Sequence, residues 1–216
     1  MSLKLIIFDL DGTLIDSSVD ITNALNYALE PHSVKRLTVD DTIKLVGEGI
    51  TRLLERVAGD RGDAVSDSVT KRFLEHYTAH ILDYTTVYPG VKETLAGLGR
   101  YKKAVISNKR EKLSMAVLEG LGLSQYFDII VGSDSTSERK PSPVPVLKVL
   151  SDLSINASDA VIVGDSNYDV DAGKAAGVTT IAVTYGYRPR EVIAHADYII
   201  DRMTDLVALI DRISGR

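Results

Sequence analysis

The chain has 216 residues, 44% hydrophobic and 25% charged, which suits one large soluble domain or a core with a modest insertion. Lys and Arg number 25 against 30 Asp and Glu, a net charge of −5 with no basic run, so nucleic acid and acidic membrane surfaces are poor partners. Cysteine is absent, which excludes disulfides, thiolate catalysis and cysteine-ligated zinc or iron–sulfur clusters.

The first element is the uncharged run Leu5-Ile6-Ile7-Phe8, which reads as a buried strand of a parallel sheet. It stops on Asp9 and Asp11. Alternate side chains of a strand share a face, so the two carboxylates are expected to start out pointing the same way. Gly12 then lets the chain turn off the strand end. Two close carboxylates repel and need a metal, a lysine or a shared proton. A plainer reading, in which Asp11-Gly12 is only a turn dipeptide, stays open at this point. The apolar run is too short for a signal-peptide core, and no later segment is long enough to span a membrane, so the expected location is cytoplasmic.

Helical spacing follows. Ser17 or Ser18 is placed to cap a helix with Ile21, Leu25 and Leu29 on one face, and Pro31 ends it. Thr38 with Asp41 resembles a capping box opening a helix through Ile43, Leu45 and Val46. Gly47-Glu48-Gly49 breaks the pattern, Ile50 to Val57 resumes it, and a further helix runs from near Ala64 to about Leu82. The stretch from Asp16 to Tyr84 therefore reads as an all-helical insertion. His76 and His80 stand i, i+4 on its last helix, but no third ligand is evident and packing histidines are the expected reading.

Beyond Tyr88-Pro89-Gly90, helices and apolar strands alternate. Strands are expected at Ala104–Ile106, Ile129–Val131, Ala160–Val163, Thr180–Val183 and Tyr198–Ile200. Helices are expected at Val91–Leu98, Lys112–Leu121, Val144–Leu150, Val170–Ala176 and Leu206–Ile213. Such alternation means an α/β fold, a doubly wound parallel sheet with helices on both faces. Three strands end on residues that chemistry can use, and all three should open on one sheet edge. They are Asp9/Asp11, Ser107-Asn108, and Gly164-Asp165 with Asp169 one helical turn later. Helix caps would explain the second and third equally well. Four acids at one edge call for a cation, and oxygen ligands favour a hard ion such as Mg²⁺. Lys140, in the polar stretch from Ser133 to Pro145, is a second source of positive charge, although that stretch also reads as a plain linker.

In order, spacing and strand-end placement, four motifs resemble the haloacid dehalogenase-like superfamily in its phosphatase branch. They are Phe8-Asp9-Leu10-Asp11-Gly12-Thr13-Leu14, Ser107-Asn108, Lys140-Pro141-Ser142-Pro143, and Gly164-Asp165 to Asp169. The resemblance implies a core of residues 1–15 and 86–216, with a helical cap over 16–85. It implies that Asp9 is the nucleophile and Asp11 the general acid and base. It implies Mg²⁺ held by Asp9, the main-chain carbonyl of Asp11 and Asp165, with Asp169 acting through water. Ser107, the Asn108 amide and Lys140 would hold phosphoryl oxygens, and Thr13 would orient the loop beside the substrate. Dehalogenases and phosphonatases lack an acid at the position of Asp11.

The segments Asp16–Ile21 and Val46–Gly49 look most like phosphoglycolate phosphatases and their near relatives. That likeness implies a small phosphorylated metabolite, with 2-phosphoglycolate as the expected substrate and Gly47 and Glu48 in a substrate-contacting loop. Arg52 or Lys44 would meet a substrate carboxylate. Sugar-phosphate mutases of this fold carry a linker histidine where this chain has Ile21, which argues against that reading. An inorganic pyrophosphatase or a sugar-phosphate phosphatase of the same fold and a non-catalytic phosphate-binding scaffold are the competing readings, and either a monomer or a homodimer is expected.

Overall fold

A computed structural model describes residues 2–32, 35–47 and 63–215, the side chains of 63–66 aside. The chain divides into two compact units, residues 1–16 with 87–216, and residues 17–86.

The first unit is built on a six-stranded parallel sheet. Its strands are β1 (Leu5–Phe8), β4 (Lys102–Ile106), β5 (Ile129–Val131), β6 (Ala160–Gly164), β7 (Thr179–Val183) and β8 (Tyr198–Ile200). Their spatial order is β5-β4-β1-β6-β7-β8, and every neighbouring pair is parallel. Helices α4 (Val91–Gly97), α5 (Glu111–Gly120), α6 (Val144–Asp152), α7 (Asn167–Ala176) and α8 (Asp205–Ile213) alternate with these strands. Two-residue strands β2 (Ile15–Asp16) and β3 (Thr86–Val87) make a separate small ribbon.

Why β1 is apolar without a break follows from its place in the middle of the sheet. Leu5 and Ile7 join a core with Ala104, Ile106 and Ile162 that is covered by Val146, Val149 and Leu150 of α6 and by Ala172 and Ala176 of α7. Ile6 and Phe8 point to the opposite face and are also fully buried, so that face is covered as well. Burying each such side chain contributes about 1.5–3 kcal/mol. Register aligns the strand ends: Phe8 pairs with Val105 on one side and Val163 on the other. The carboxyl ends of β1, β4 and β6 are therefore level and adjacent at the sheet's centre.

The second unit contains α1 (Ser18–Leu29), α2 (Val39–Leu45) and α3 (Asp63–Ala79). Ile21, Leu25 and Leu29 of α1 are buried, as are Val69, Phe73 and Tyr77 of α3, each set at four-residue spacing along one face. The capping box that opens α2 is present: Thr38 Oγ1 accepts from the Asp41 N–H and Asp41 accepts from the Thr38 N–H. Ser17 precedes α1 but its side chain makes no cap bond. The resumed helix expected over Ile50–Val57 lies outside the described residues.

α3 ends at Ala79, three residues short of the expected Leu82. The backbone there has another partner. The buried carboxylate of Asp20 accepts from the Tyr84 and Thr85 N–H groups and from the Thr85 hydroxyl, at 2.7–3.1 Å. Those donors would be unpaired without it. No helix among the described residues is long and apolar enough to cross a membrane.

Replacing Asp20 by Ala should cost about 2–4 kcal/mol of unfolding free energy, because it orphans several buried donors. Chemical denaturation of Asp20→Ala and Asp20→Asn measures this, with the amide expected to recover part of the loss. A change below about 0.5 kcal/mol for Asp20→Ala would refute the assignment.

Candidate active site

The site begins where β1 stops. The strand ends at Phe8, and the following residues wrap tightly: Leu14 and Ile15 N–H groups donate to the Leu10 carbonyl, and Gly12 N–H donates to Ile15. Asp9 and Asp11 therefore do not continue a common strand face, contrary to the expectation from alternation. The turn sends them to different lysines. Asp11 pairs with Lys109 at 2.5 Å, and Asp9 pairs with Lys140 at 2.6 Å.

Lys140 is the hub. Its ammonium donates to Asp9 Oδ1 (2.6 Å), Asp169 Oδ1 (2.6 Å) and the Ile106 carbonyl (2.7 Å), and the side chain is buried. Asn108 holds the lysine from behind, its Nδ2 donating to the Lys140 carbonyl at 2.9 Å. Asp169 also serves as a cap: its Oδ2 accepts from the Ser166 N–H and hydroxyl, the capping box that opens α7. Both sequence readings of Asp169, helix cap and site acid, are thus met by one carboxylate using its two oxygens for different work.

Asp165 is gripped from two sides. Its Oδ2 accepts from the Tyr187 N–H at 2.6 Å, and its Oδ1 accepts from the Thr13 hydroxyl at 3.4 Å. Two glycines make room for it. A Cβ on Gly12, whose φ is +92°, would fall within 2.4 Å of Asp165 Oδ2, and a Cβ on Gly186 would fall 2.2 Å from Asp165 Cβ. Tyr185 ties the same loop to β1's turn, its hydroxyl donating to the Thr13 carbonyl at 2.8 Å.

Asp9, Asp165 and Asp169 each place one carboxylate oxygen within 4.8 Å of the others, and all three are buried. Among the described residues this is the one group of three or more acidic or histidine side chains close enough to share an ion. Three carboxylates share one buried ammonium, and Arg188 adds only its field at Asp165, so negative charge is in excess in a low-dielectric setting. Burial, reinforced by Asp169 and Asp165, pushes the Asp9 carboxyl well above its ordinary range despite the pull of Lys140. Burial and Asp169 likewise push Asp165 up to about 7, against the Tyr187 N–H and Lys140. Burial works against the Lys140 ammonium, but Asp169 and Asp9 outweigh it and hold the amine above the usual lysine range. An oxygen-only set with that charge deficit fits a hard divalent cation.

The sequence-derived candidates Asp9, Asp165, Asp169, Lys140, Thr13 and Asn108 converge here. Ser107 stands at the end of β4, where its Oγ accepts from the Lys109 N–H at 3.1 Å. Asp11 sits beside Lys109, outside the group of three acids. Gly47, in the second unit, follows α2 with φ +117°, and Glu48 and Arg52 lie outside the described residues. His76 and His80 stack at 4.4 Å between Tyr27 and Asp83, a packed pair as expected. Sequence reasoning missed Lys109, although it directly follows Ser107-Asn108. It also missed Tyr185, Gly186 and Tyr187. Tyr187 acts on Asp165 through its backbone, which no side-chain pattern reveals.

Residues 6–183 match the haloacid dehalogenase-like hydrolase family. A phosphoglycolate phosphatase of Aquifex aeolicus (strain VF5) is 42% identical over 212 residues, 97% of each chain. A protein of Caldanaerobacter subterraneus, provisionally named pyrophosphatase PpaX, is 33% identical over 214 residues, 97% of this chain and 96% of that one. A solved structure from Haemophilus somnus 129pt, described as a predicted phosphoglycolate phosphatase, superposes with a TM-score of 0.91 at 27% identity, over 97% of this chain and 99% of that one.

The raised carboxyls set an expected response to pH. Each favours folding while protonated and loses that contribution as pH rises through its folded-state value. Stabilisation of the metal-free protein by added Mg²⁺, read as the shift in thermal midpoint, should therefore be larger near about pH 8 than near about pH 5. A midpoint indifferent to divalent cations at the higher pH would sink the assignment of this acid cluster.

Proposed function

We propose that this chain, which belongs to the haloacid dehalogenase-like hydrolases, is a Mg²⁺-dependent phosphomonoester hydrolase that works through an aspartyl phosphate on 2-phosphoglycolate in the cytoplasm. The observation that carries the chemistry is Asp9 at the end of β1, held by Lys140 and grouped with Asp165 and Asp169. The substrate rests on the likeness to the Aquifex aeolicus protein.

Asp9, Asp165, Asp169 and the Asp11 carbonyl would hold the ion, which when bound neutralises charge on a phosphoryl oxygen and on the acids around it. Asp9 Oδ attacks phosphorus while the bond from phosphorus to the ester oxygen breaks. Asp11, as the carboxylic acid, gives its proton to that leaving oxygen, and the alcohol departs. Water then attacks phosphorus of the aspartyl phosphate and passes a proton to the Asp11 carboxylate. Inorganic phosphate leaves and both aspartates are restored. Ser107, the Asn108 N–H and Lys140 would act as donors for the phosphoryl oxygens, where preorganised charge does most of the work. Lys140 is held in place by the Ile106 carbonyl and two acids, which take all three of its N–H donors, so it would turn one of them from an acid to a phosphoryl oxygen.

A second reading is favoured by one relative. The Caldanaerobacter subterraneus likeness supports pyrophosphate as substrate with the same machinery.

Phosphate release should be measured with and without Mg²⁺ on 2-phosphoglycolate, pyrophosphate and hexose phosphates. The expected result is Mg²⁺-dependent turnover with 2-phosphoglycolate preferred, and a loss of about 10³-fold or more in Asp9→Asn. Preference for pyrophosphate would move the substrate and keep the chemistry. Turnover in Asp9→Asn equal to that of the wild type would remove the nucleophile from Asp9.

A further inference from the structure

Asp9 and Asp11 are separated by one residue, yet each has its own lysine. The Asp11–Lys109 pair is largely shielded, with the two side chains only 11% and 7% exposed. Surface ion pairs contribute little because two long side chains must be ordered in water. This pair differs, because the lysine backbone is already fixed. The Lys109 N–H donates to Ser107 Oγ at 3.1 Å, and its carbonyl accepts from the Ser133 N–H at 3.0 Å. Gly132 permits the second bond. Any Cβ there would fall 2.1 Å from the Glu111 nitrogen, so only glycine lets the end of β5 close against the start of α5. Two strand ends thus pin the residue whose ammonium reaches Asp11 Oδ1.

We propose that Lys109 is a positioning residue for Asp11, holding its carboxyl group apart from the Asp9–Asp165–Asp169 group and aimed at the leaving-group oxygen. The inference rests on the reading of Asp11 as proton donor and acceptor. Proton transfer needs a heavy-atom approach of about 2.6–3.2 Å, and a displacement of about 1 Å costs on the order of 100-fold. A carboxyl group released from Lys109 can turn about two side-chain torsions and fall toward the cation site instead. The cost of losing Lys109 should then depend on whether the leaving group needs a proton.

The test compares kcat/KM, which reports the steps up to formation of the aspartyl phosphate, in the Mg²⁺-loaded wild type, Lys109→Met and Lys109→Arg. The substrates are an alkyl phosphate turned over by the wild type and p-nitrophenyl phosphate, whose leaving group departs without a proton. Lys109→Met should lose about 10–100-fold on the alkyl ester and less than about 3-fold on the aryl ester. Inhibition by inorganic phosphate should be unchanged, and Lys109→Arg should recover part of the alkyl rate. In an Asp11→Asn background Lys109→Met should cost nothing more. Lys109→Gln replaces the Met variant if Met lowers the thermal midpoint.

Equal losses on both esters would overturn the assignment, as would weakened phosphate inhibition, which would make Lys109 a phosphoryl-binding cation. Wild-type inactivity on p-nitrophenyl phosphate and on every alkyl phosphate tried would instead overturn the phosphatase reading, and this one with it.

Discussion

The site depends on a charge imbalance held under the end of a buried sheet. One ammonium, Lys140, is shared between Asp9 and Asp169 while Asp165 stands in the same group. Removing one partner of a buried ion pair typically costs about 3–5 kcal/mol, because the remaining charge is left uncompensated. Here the compensation is incomplete even with every partner present. The fold tolerates this because it satisfies each carboxylate locally: Asp169 through Ser166, Asp165 through Tyr187 and Thr13. What remains unmet is formal charge, not hydrogen-bonding capacity, and a bound cation can supply that without rearranging the donors.

Such an arrangement needs a rigid platform, and the strand order provides it. β4, β1 and β6 are neighbours, so three polar strand ends lie side by side with no other strand between them. Continuous apolar burial on both faces of β1 keeps the platform from shifting. The short loops then need backbone close to the acids. Gly12 and Gly186 meet this on either side of Asp165, where any side chain would overlap the carboxylate or its Cβ.

Much of this could be read in one dimension because doubly covered parallel strands leave a strong mark. Leu5–Phe8 and Ala160–Val163 are apolar without interruption for the same physical reason, and each is a fully buried strand. Asp165 and Asp169 converge because residues one helical turn apart return to one side. The failures are equally physical. Alternation placed Asp9 and Asp11 on one face, but the strand ends at Phe8 and the turn through Gly12 intervenes. β2 and β3 are two residues long, too short for any pattern. The chain beyond α3 left no pattern either, since the N–H groups of Tyr84 and Thr85 go to Asp20, more than sixty residues earlier. Lys109 left no periodic signal, since its partner lies 98 residues away in sequence.

In the proposed chemistry, the separate lysine partners of Asp9 and Asp11 would let neighbouring carboxylates do opposite work. A nucleophile must present a bare oxygen to phosphorus, whereas a proton donor must sometimes hold hydrogen. Two carboxyls in one shared environment would titrate as a coupled pair, and neither would keep a fixed role. After the turn that follows Phe8, each carboxylate meets a lysine of its own. Asp9 goes to the Lys140 group, where the buried ammonium, and a cation if bound, would favour the ionised form. Asp11 goes to Lys109, in a pair anchored by the ends of β4 and β5 and not by the acid cluster. The proposed division of labour would then rest on the backbone turn and the two lysines, which are in place without substrate.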